Sequence, residues 1–233
     1  MSFCHDELEI CGNMDMPGAA IDVDRYVDYS RMEVTEDQQR IMQYLHRHIA
    51  PNDSILHVGI GNSDLAAQFF NKTSLIEGLT VSDRELEYAR SFDLPNYSVH
   101  LLSKHSREFL LLISNKFDYI IDNNLPSFAC CRYHFFTMMD NYLWALKPGG
   151  KIITDESGLN WACKDPSFVM NYQGLSKLQE FLPIKVSRLT DMVIAVEKQS
   201  RPKHNRPVTK SYRLCRKNGR DIIEPRGVEV KQQ

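Results

Sequence analysis

The sequence predicts an α/β protein: a mostly parallel β-sheet with helices on both faces. Two observations carry that reading. Between residues 54 and 198, short continuous apolar runs rich in Ile, Leu and Val alternate with stretches of helical periodicity. A strand that is apolar on both sides has to be covered on both sides, the condition of a parallel sheet between two helical layers. The first of these runs also passes directly into a glycine turn, Gly59-Ile60-Gly61-Asn62-Ser63, and then a helix. In open sheets of this kind ligands lie beyond the carboxyl ends of the strands.

The elements follow in order. The first thirty residues lack strong periodicity apart from the polar and aromatic stretch IDVDRYVDYSRM. Thr35 followed by Glu36 and Asp37 predicts a capped helix start, and Ile41, Tyr44, Leu45, His48 and Ile49 recur at helical spacing until Pro51-Asn52 stops the helix. Then come the strand SILHVGI, the helix DLAAQFF, the strand SLIEGLTV, the helix DRELEYARSF, the strand YSVHLL, the helix SREFLLLIS and the strand FDYIID. A long helix around YHFFTMMDNYLWAL, the turn KPGG and the strand KIITDE follow, then a helix near GLSKLQEFL and two last strands, PIKVSRL and DMVIAVEK. Pro148 ends the long helix and the two glycines after it reverse the chain. Near the end, SYRLCR and RDIIEP flank Asn218-Gly219, a dipeptide suited to a type I′ hairpin turn.

Composition bounds the function. With 42% hydrophobic and 25% charged residues, 11 Gly and 10 Pro in 233 residues, the chain is neither disordered, collagen-like nor coiled coil. No window approaches the roughly 18 apolar residues of a membrane helix. The start MSFCHDELEI is acidic where a signal peptide is basic and then apolar, so the expectation is a cytoplasmic protein without membrane contact. Six cysteines without a C-x-x-C pair read as reduced thiols. His5 with Cys4 and Cys11, and His46 with His48, lack the spacing of a zinc site, so no metal is expected. Adjacent Cys130 and Cys131 read as small buried residues, a reactive thiol being the alternative. The net charge of −2 hides an asymmetry, because residues 199–233 carry ten Lys or Arg against three acids while the first 198 residues are net acidic. That tail reads as a folded appendage on the acidic body; a polynucleotide contact is the alternative.

With the later segments added, residues 35–198 resemble the class I S-adenosylmethionine-dependent methyltransferases. ILHVGIGNS is similar to the family's first motif, GLTVSDRELEYAR to its second strand and helix, KFDYIIDNN to its fourth strand, and LKPGGKIITDE to its turn and fifth strand. The resemblance implies a Rossmann-like seven-stranded sheet whose last strand inserts antiparallel between the fifth and sixth, and S-adenosyl-L-methionine as cofactor. It also shows departures. His57 stands where the family has an acid, Ser63 replaces its third glycine, and Thr80 replaces the acid that accepts from both ribose hydroxyls. Ser103, Lys104 and His105 occupy the place of the acid that meets adenine.

The resemblance implies a cofactor site of Gly59, Gly61, Asn62, Ser63, Thr80, Ser82, Asp83 and Asp122, with Tyr29 closing over it. Tyr26, Ser30 and Arg31 belong to the same covering stretch, core packing of the tyrosines being the alternative. Methyl transfer needs a nucleophile held in line and an acceptor for its proton. Asp122 and Asn123, with Asn124, leave the fourth strand where that nucleophile arrives, unless they cap the next helix. Arg132 and His134 follow, His134 as a candidate base or else part of a solvated first turn. Trp161 and Tyr172 are candidates for lining the substrate cavity. Residues 1–34 are expected to be a lid or substrate-covering segment, 35–198 the cofactor-binding domain and 199–233 a basic extension. The expected activity is methylation of a small molecule, an amine or amino acid derivative of specialised metabolism. The alternatives are aminocarboxypropyl transfer or cyclisation releasing methylthioadenosine, RNA methylation, or a non-catalytic binding protein.

Overall fold

The computed structural model describes residues 29–106, 108–112, 116–127, 129, 132–160, 170–200, 212–217 and 220–225. Cys4, His5, Cys11, Tyr26, Cys130, Cys131, Trp161 and the Asn218-Gly219 turn lie outside them, as do the side chains of Arg132 and His134. A single 3-10 turn, Tyr29–Arg31, precedes helix α1, Glu36–His48. The alternation then runs β1 (Ser54–Val58), α2 (Asp64–Phe69), β2 (Leu75–Thr80), α3 (Asp83–Arg90), β3 (Tyr97–Leu101), α4 (Phe109–Leu112) and β4 (Phe117–Asp122). After it come α5 (Arg132–Ala145), β5 (Leu146–Asp155), α6 (Tyr172–Lys177), β6 (Ile184–Arg188) and β7 (Val193–Lys198).

The sheet order is β3-β2-β1-β4-β5-β7-β6. Strands β1 to β5 pair in parallel, and β7 lies antiparallel between β5 and β6, as the resemblance implied. Neighbouring residues of each central strand serve opposite layers, which is why the strands read as unbroken apolar runs. Ile55, Ile121 and Ile153 pack with Ile41 and Leu45 of α1 and Phe69 of α2. Leu56, Ile120 and Ile152 pack on the other face with Phe135, Met138 and Tyr142 of α5. Strand order reverses between β1 and β4, so their carboxyl ends diverge into a crevice, the usual ligand position of such sheets.

Two local expectations are corrected. Thr35 has the extended conformation of an N-cap, but its side chain makes no capping bond; Glu36 and Asp37 complement the first turn's dipole instead. The KPGG turn lies within β5 as an irregularity. Phe117 pairs with Leu146 and Tyr119 with Lys151, so the residues between bulge out and Gly149 adopts φ +78°. SREFLLLIS forms only the single turn of α4 among the described residues. The tail hairpin forms as expected, with β8 (Tyr212–Lys217) antiparallel to β9 (Arg220–Pro225).

Candidate functional site

The glycine turn leaves β1 with its backbone bent back on β2. The Gly59 amide donates to Leu79 O at 2.8 Å, and Gly59 and Gly61 both have positive φ, a conformation that costs glycine nothing. Ser63 also has φ +58°, which explains why a glycine is usual at this point of the motif. The strained serine is held by a 3.0 Å hydrogen bond between its hydroxyl and Tyr97 Oη. Its hydroxyl is therefore engaged within the protein. Asn62 is likewise engaged within the protein: it donates to Met32 O at 2.9 Å and accepts from the Asp64 amide at 3.1 Å. Through Asn62 the 29–32 segment is strapped across the glycine turn, with Tyr29 Cβ 3.7 Å from where a Cβ on Gly61 would stand.

At the end of β2, Thr80 meets an acid from the next helix. Thr80 Oγ1 accepts from the Ser82 amide at 3.0 Å and donates to Glu85 Oε2 at 2.6 Å, while the Glu85 amide donates to Ser82 Oγ at 3.4 Å. Ser82-x-x-Glu85 is a capping-box spacing whose glutamate has turned toward Thr80. That spacing was the sequence signal for Glu85, which the reading of residues passed over. Thr80 and Ser82 are buried beside it, whereas Asp83 is exposed at the head of α3.

The end of β4 is a dense polar cluster. Asp122 is buried; its Oδ2 accepts from Lys104 Nζ at 2.8 Å and from Tyr142 Oη at 2.7 Å, and its Oδ1 accepts from the Asn124 amide at 3.2 Å. In this structure the Asp122 carboxylate is met by internal partners, as burial of a charged group requires. Burial lowers the Lys104 pKa against the pull of Asp122, and raises that of Tyr142 well above the ordinary phenol value, with the carboxylate adding to the effect. Ser103 and His105 are folded into the same region, the His105 amide donating to Ser103 Oγ at 3.3 Å.

Asn123 follows directly after β4. Its Nδ2 donates to Asp37 Oδ2 of α1 at a long 3.4 Å, which orients the carboxamide, and its Oδ1 is buried without a partner. On neighbouring β1, His57 pairs in register with Ile121, two residues before Asn123, and His57 Nδ1 is also buried without a partner. Burial lowers the His57 pKa to about 4 against the opposing field of Asp122, so the ring is neutral. Two of the four orphaned side-chain polar atoms among the described residues thus lie on β1 and in the turn directly after its neighbour β4.

Helix α1 closes the far side. Arg40 donates to both oxygens of Asp155 at 2.8 and 2.9 Å, and Ser157 Oγ accepts from Arg40 at 3.2 Å. Burial pushes the Asp155 carboxyl up, but the bonds from Arg40 and Ser157 outweigh it and hold it below the usual range. The turn Glu156–Asn160 lies so close to β4 that a Cβ on Gly158 would stand 1.7 Å from Asn123 O. Tyr172 carries the Arg188 guanidinium 4.3 Å over its ring. His134 and Arg132 fall in the first turn of α5. The structure therefore sets Tyr29 against Gly61, joins Thr80, Ser82 and Glu85 in one corner, and places Asn123 beside Asp37 of α1.

No protein-family model matches the sequence, and no curated protein does. Solved structures match by shape. The N-methyltransferase NodS from Bradyrhizobium japonicum WM9, in complex with S-adenosyl-L-homocysteine, is 14% identical with a TM-score of 0.56, over 76% of this chain and 94% of that one. A SAM-dependent methyltransferase from Aquifex aeolicus is 14% identical with a TM-score of 0.51, over 75% and 95%. The CurJ carbon methyltransferase is 16% identical with a TM-score of 0.52, over 69% of this chain and 52% of that one. These proteins modify different atoms, so what they share with this chain is the scaffold. Its strand order, its antiparallel β7 and its glycine turn are those of the Rossmann-like fold of the class I S-adenosylmethionine-dependent methyltransferases.

Proposed function

We propose that the chain binds S-adenosylmethionine in the crevice between β1 and β4 and methylates a small-molecule amine or amino acid derivative. The observation that carries this reading is the pair of orphaned atoms, Asn123 Oδ1 and the Nδ1 of neutral His57. Both can accept hydrogen bonds, and a buried acceptor without a partner is costly unless a ligand supplies the donor. The ammonium of a methionine-like group is such a donor. The glycine turn admits the ligand backbone to backbone, and the Thr80–Glu85 corner at the end of β2 offers a carboxylate and hydroxyl for a sugar diol. Tyr29, strapped in place through Met32 and Asn62, covers that end.

The cofactor supplies an electrophilic methyl group on a sulfonium. The chain's residues orient and exclude water: the Asn123 carboxamide oxygen accepts from the ligand's ammonium, and Asp37 beside it presents a carboxylate that pairs with a cationic amine, whose proton leaves to solvent before the neutral amine attacks the methyl group. Across the hairpin Arg213 is in register with Glu224 and Arg216 with Asp221, and the net acidity of residues 1–198 disfavours a polyanionic substrate.

Calorimetric titration with S-adenosylhomocysteine tests the reading. Wild type binds; Asn123→Ala weakens binding roughly tenfold by removing an acceptor; Gly61→Arg abolishes it. No heat at millimolar ligand overturns the cofactor assignment. Mass spectrometry of S-adenosylmethionine incubated with protein and lysate then reads the reaction: S-adenosylhomocysteine above the no-enzyme level supports methyl transfer, and methylthioadenosine in its place overturns it in favour of aminocarboxypropyl chemistry.

A further inference from the structure

The turn that presents Asn123 is held from inside by one buried cation. Lys104 Nζ donates to Asp122 Oδ2 at 2.8 Å, Asn124 O at 3.0 Å, Leu125 O at 3.1 Å and Ser127 Oγ at 3.0 Å. The side chain is 5% exposed and Asp122's is 3% exposed, so water does not share the load. Four oxygens, one of them charged, converge on a single point. A compact ammonium with rotatable donors meets that arrangement; the flat fork of a guanidinium does not, and an apolar side chain leaves a carboxylate and two carbonyls stranded.

The lysine is itself anchored at both ends. Asn141 Nδ2, on α5, donates to Lys104 O and to Ser106 O, each at 3.2 Å, which ties the segment after β3 to the helix that follows the turn. His105 Nε2 lies 3.2 Å from Ser127 O. Asp122 has a second donor in Tyr142 Oη, so the anion stays in place to hold the ammonium. Asn123 is therefore clamped between Asp122 and Asn124, both bound within this cluster, and its carboxamide is carried on a backbone that Lys104 organises. In the class resemblance this stretch is where an acid would meet adenine; here the lysine has turned inward and serves a different part of the site.

We infer that Lys104 is a positioning residue: acting through the Asp122–Ser127 turn, it sets the Asn123 carboxamide in the crevice and thereby governs recognition of the ligand's ammonium-bearing end. This rests on the proposed cofactor reading, and a pair of ligands separates the two. S-adenosylhomocysteine has the amino acid end; methylthioadenosine keeps the nucleoside and lacks that end. A residue that merely stabilises the fold weakens both ligands alike, whereas a residue that positions Asn123 weakens only the first.

Titrations of the full chain with both ligands test this. Lys104→Met is expected to lower affinity for S-adenosylhomocysteine at least ~10-fold, with methylthioadenosine binding changed less than ~2-fold, as for loss of a buried charged partner acting locally. Because that variant strands Asp122 and can fail to fold, Ser127→Ala, which removes one of the four contacts, serves beside it and is expected to give a smaller loss, ~2–3-fold, in the same ligand pattern. Equal losses for both ligands, or no loss in either variant, overturn the positioning role while leaving the cofactor reading intact. Wild type that binds neither ligand overturns both.

Discussion

At His57 the chain keeps a neutral imidazole in a place where a charge would be costly, and that has a consequence for acid stability. The ring is 2% exposed and burial lowers its pKa from 6.5 to about 4. As pH falls below 6.5 the unfolded chain takes up the proton while the folded chain does not, so stability present above pH 6.5 is lost down to about 4. At pH 4.5 the loss from this residue is about 2–3 kcal/mol, at about 1.4 kcal/mol per unit. Urea denaturation at pH 7 and pH 4.5 should show that His57→Leu loses less stability on acidification than wild type, by that amount. The same variant removes one of the two orphaned acceptors, so it should also bind S-adenosylhomocysteine more weakly at pH 7. An acid loss identical in wild type and variant would refute the assignment.

Among the elements, α1 is attached to the sheet by its apolar stripe and by one ion pair. Ile41 and Leu45 bury against Ile153 and Val193, and Arg40 reaches over the end of β5 to Asp155. The Asp155 side chain is 0% exposed and that of Arg40 31%, so the carboxylate depends on this partner more than the guanidinium does. Arg40→Ala should destabilise the protein by about 2–4 kcal/mol, because it leaves a buried anion with only Ser157 to answer it. Adding Asp155→Ala should recover more than half of that loss, since the stranded charge goes with it. Thermal melts of the two variants decide it; a single variant that melts like wild type would show that α1 is held by its apolar face alone. Asp155 titrates below the usual carboxylate range, so the pair's contribution is present above about pH 4 and is lost as the medium becomes more acidic. Because Asp37 sits one turn before Arg40 on the same helix, loosening α1 should also disturb the wall opposite Asn123.

For the whole molecule, the division between the acidic body and the basic tail is the open lever. Among the residues whose side chains are described, both hydrophobic layers of the seven-stranded sheet are built from residues before 198, and β8–β9 is a separate two-stranded sheet. A hairpin of two strands is marginal alone. Removal of residues 201–233 should therefore leave the melting temperature within about 2 °C of the full chain, and S-adenosylhomocysteine affinity unchanged. A gel shift with total RNA should show no salt-dependent complex for the full chain. An RNA complex that disappears with the tail would replace the small-molecule reading by the RNA-modifying one.

The sheet was legible in the sequence because burial on two faces forces unbroken apolar strands, and Gly59, Gly61 and the Pro148-Gly149-Gly150 turn mark where the chain must bend. The Asn218-Gly219 signal foretold a hairpin for the same local reason, and β8 and β9 formed on either side of it. What lies around the crevice was legible only in part. Thr80, Ser63 and Asp122 occupy the positions the motif assigned, yet their polar atoms are used by Glu85, Tyr97, Lys104 and Tyr142. Those partners come from five to thirty-four residues away. Local propensity and periodicity record which face a residue takes and where a turn falls, since both depend on neighbours in the chain. Which buried lone pair meets which donor depends on how separate strands and helices come together, and that pairing left His57 Nδ1 and Asn123 Oδ1 without a protein partner only once β1, β4 and α1 were packed.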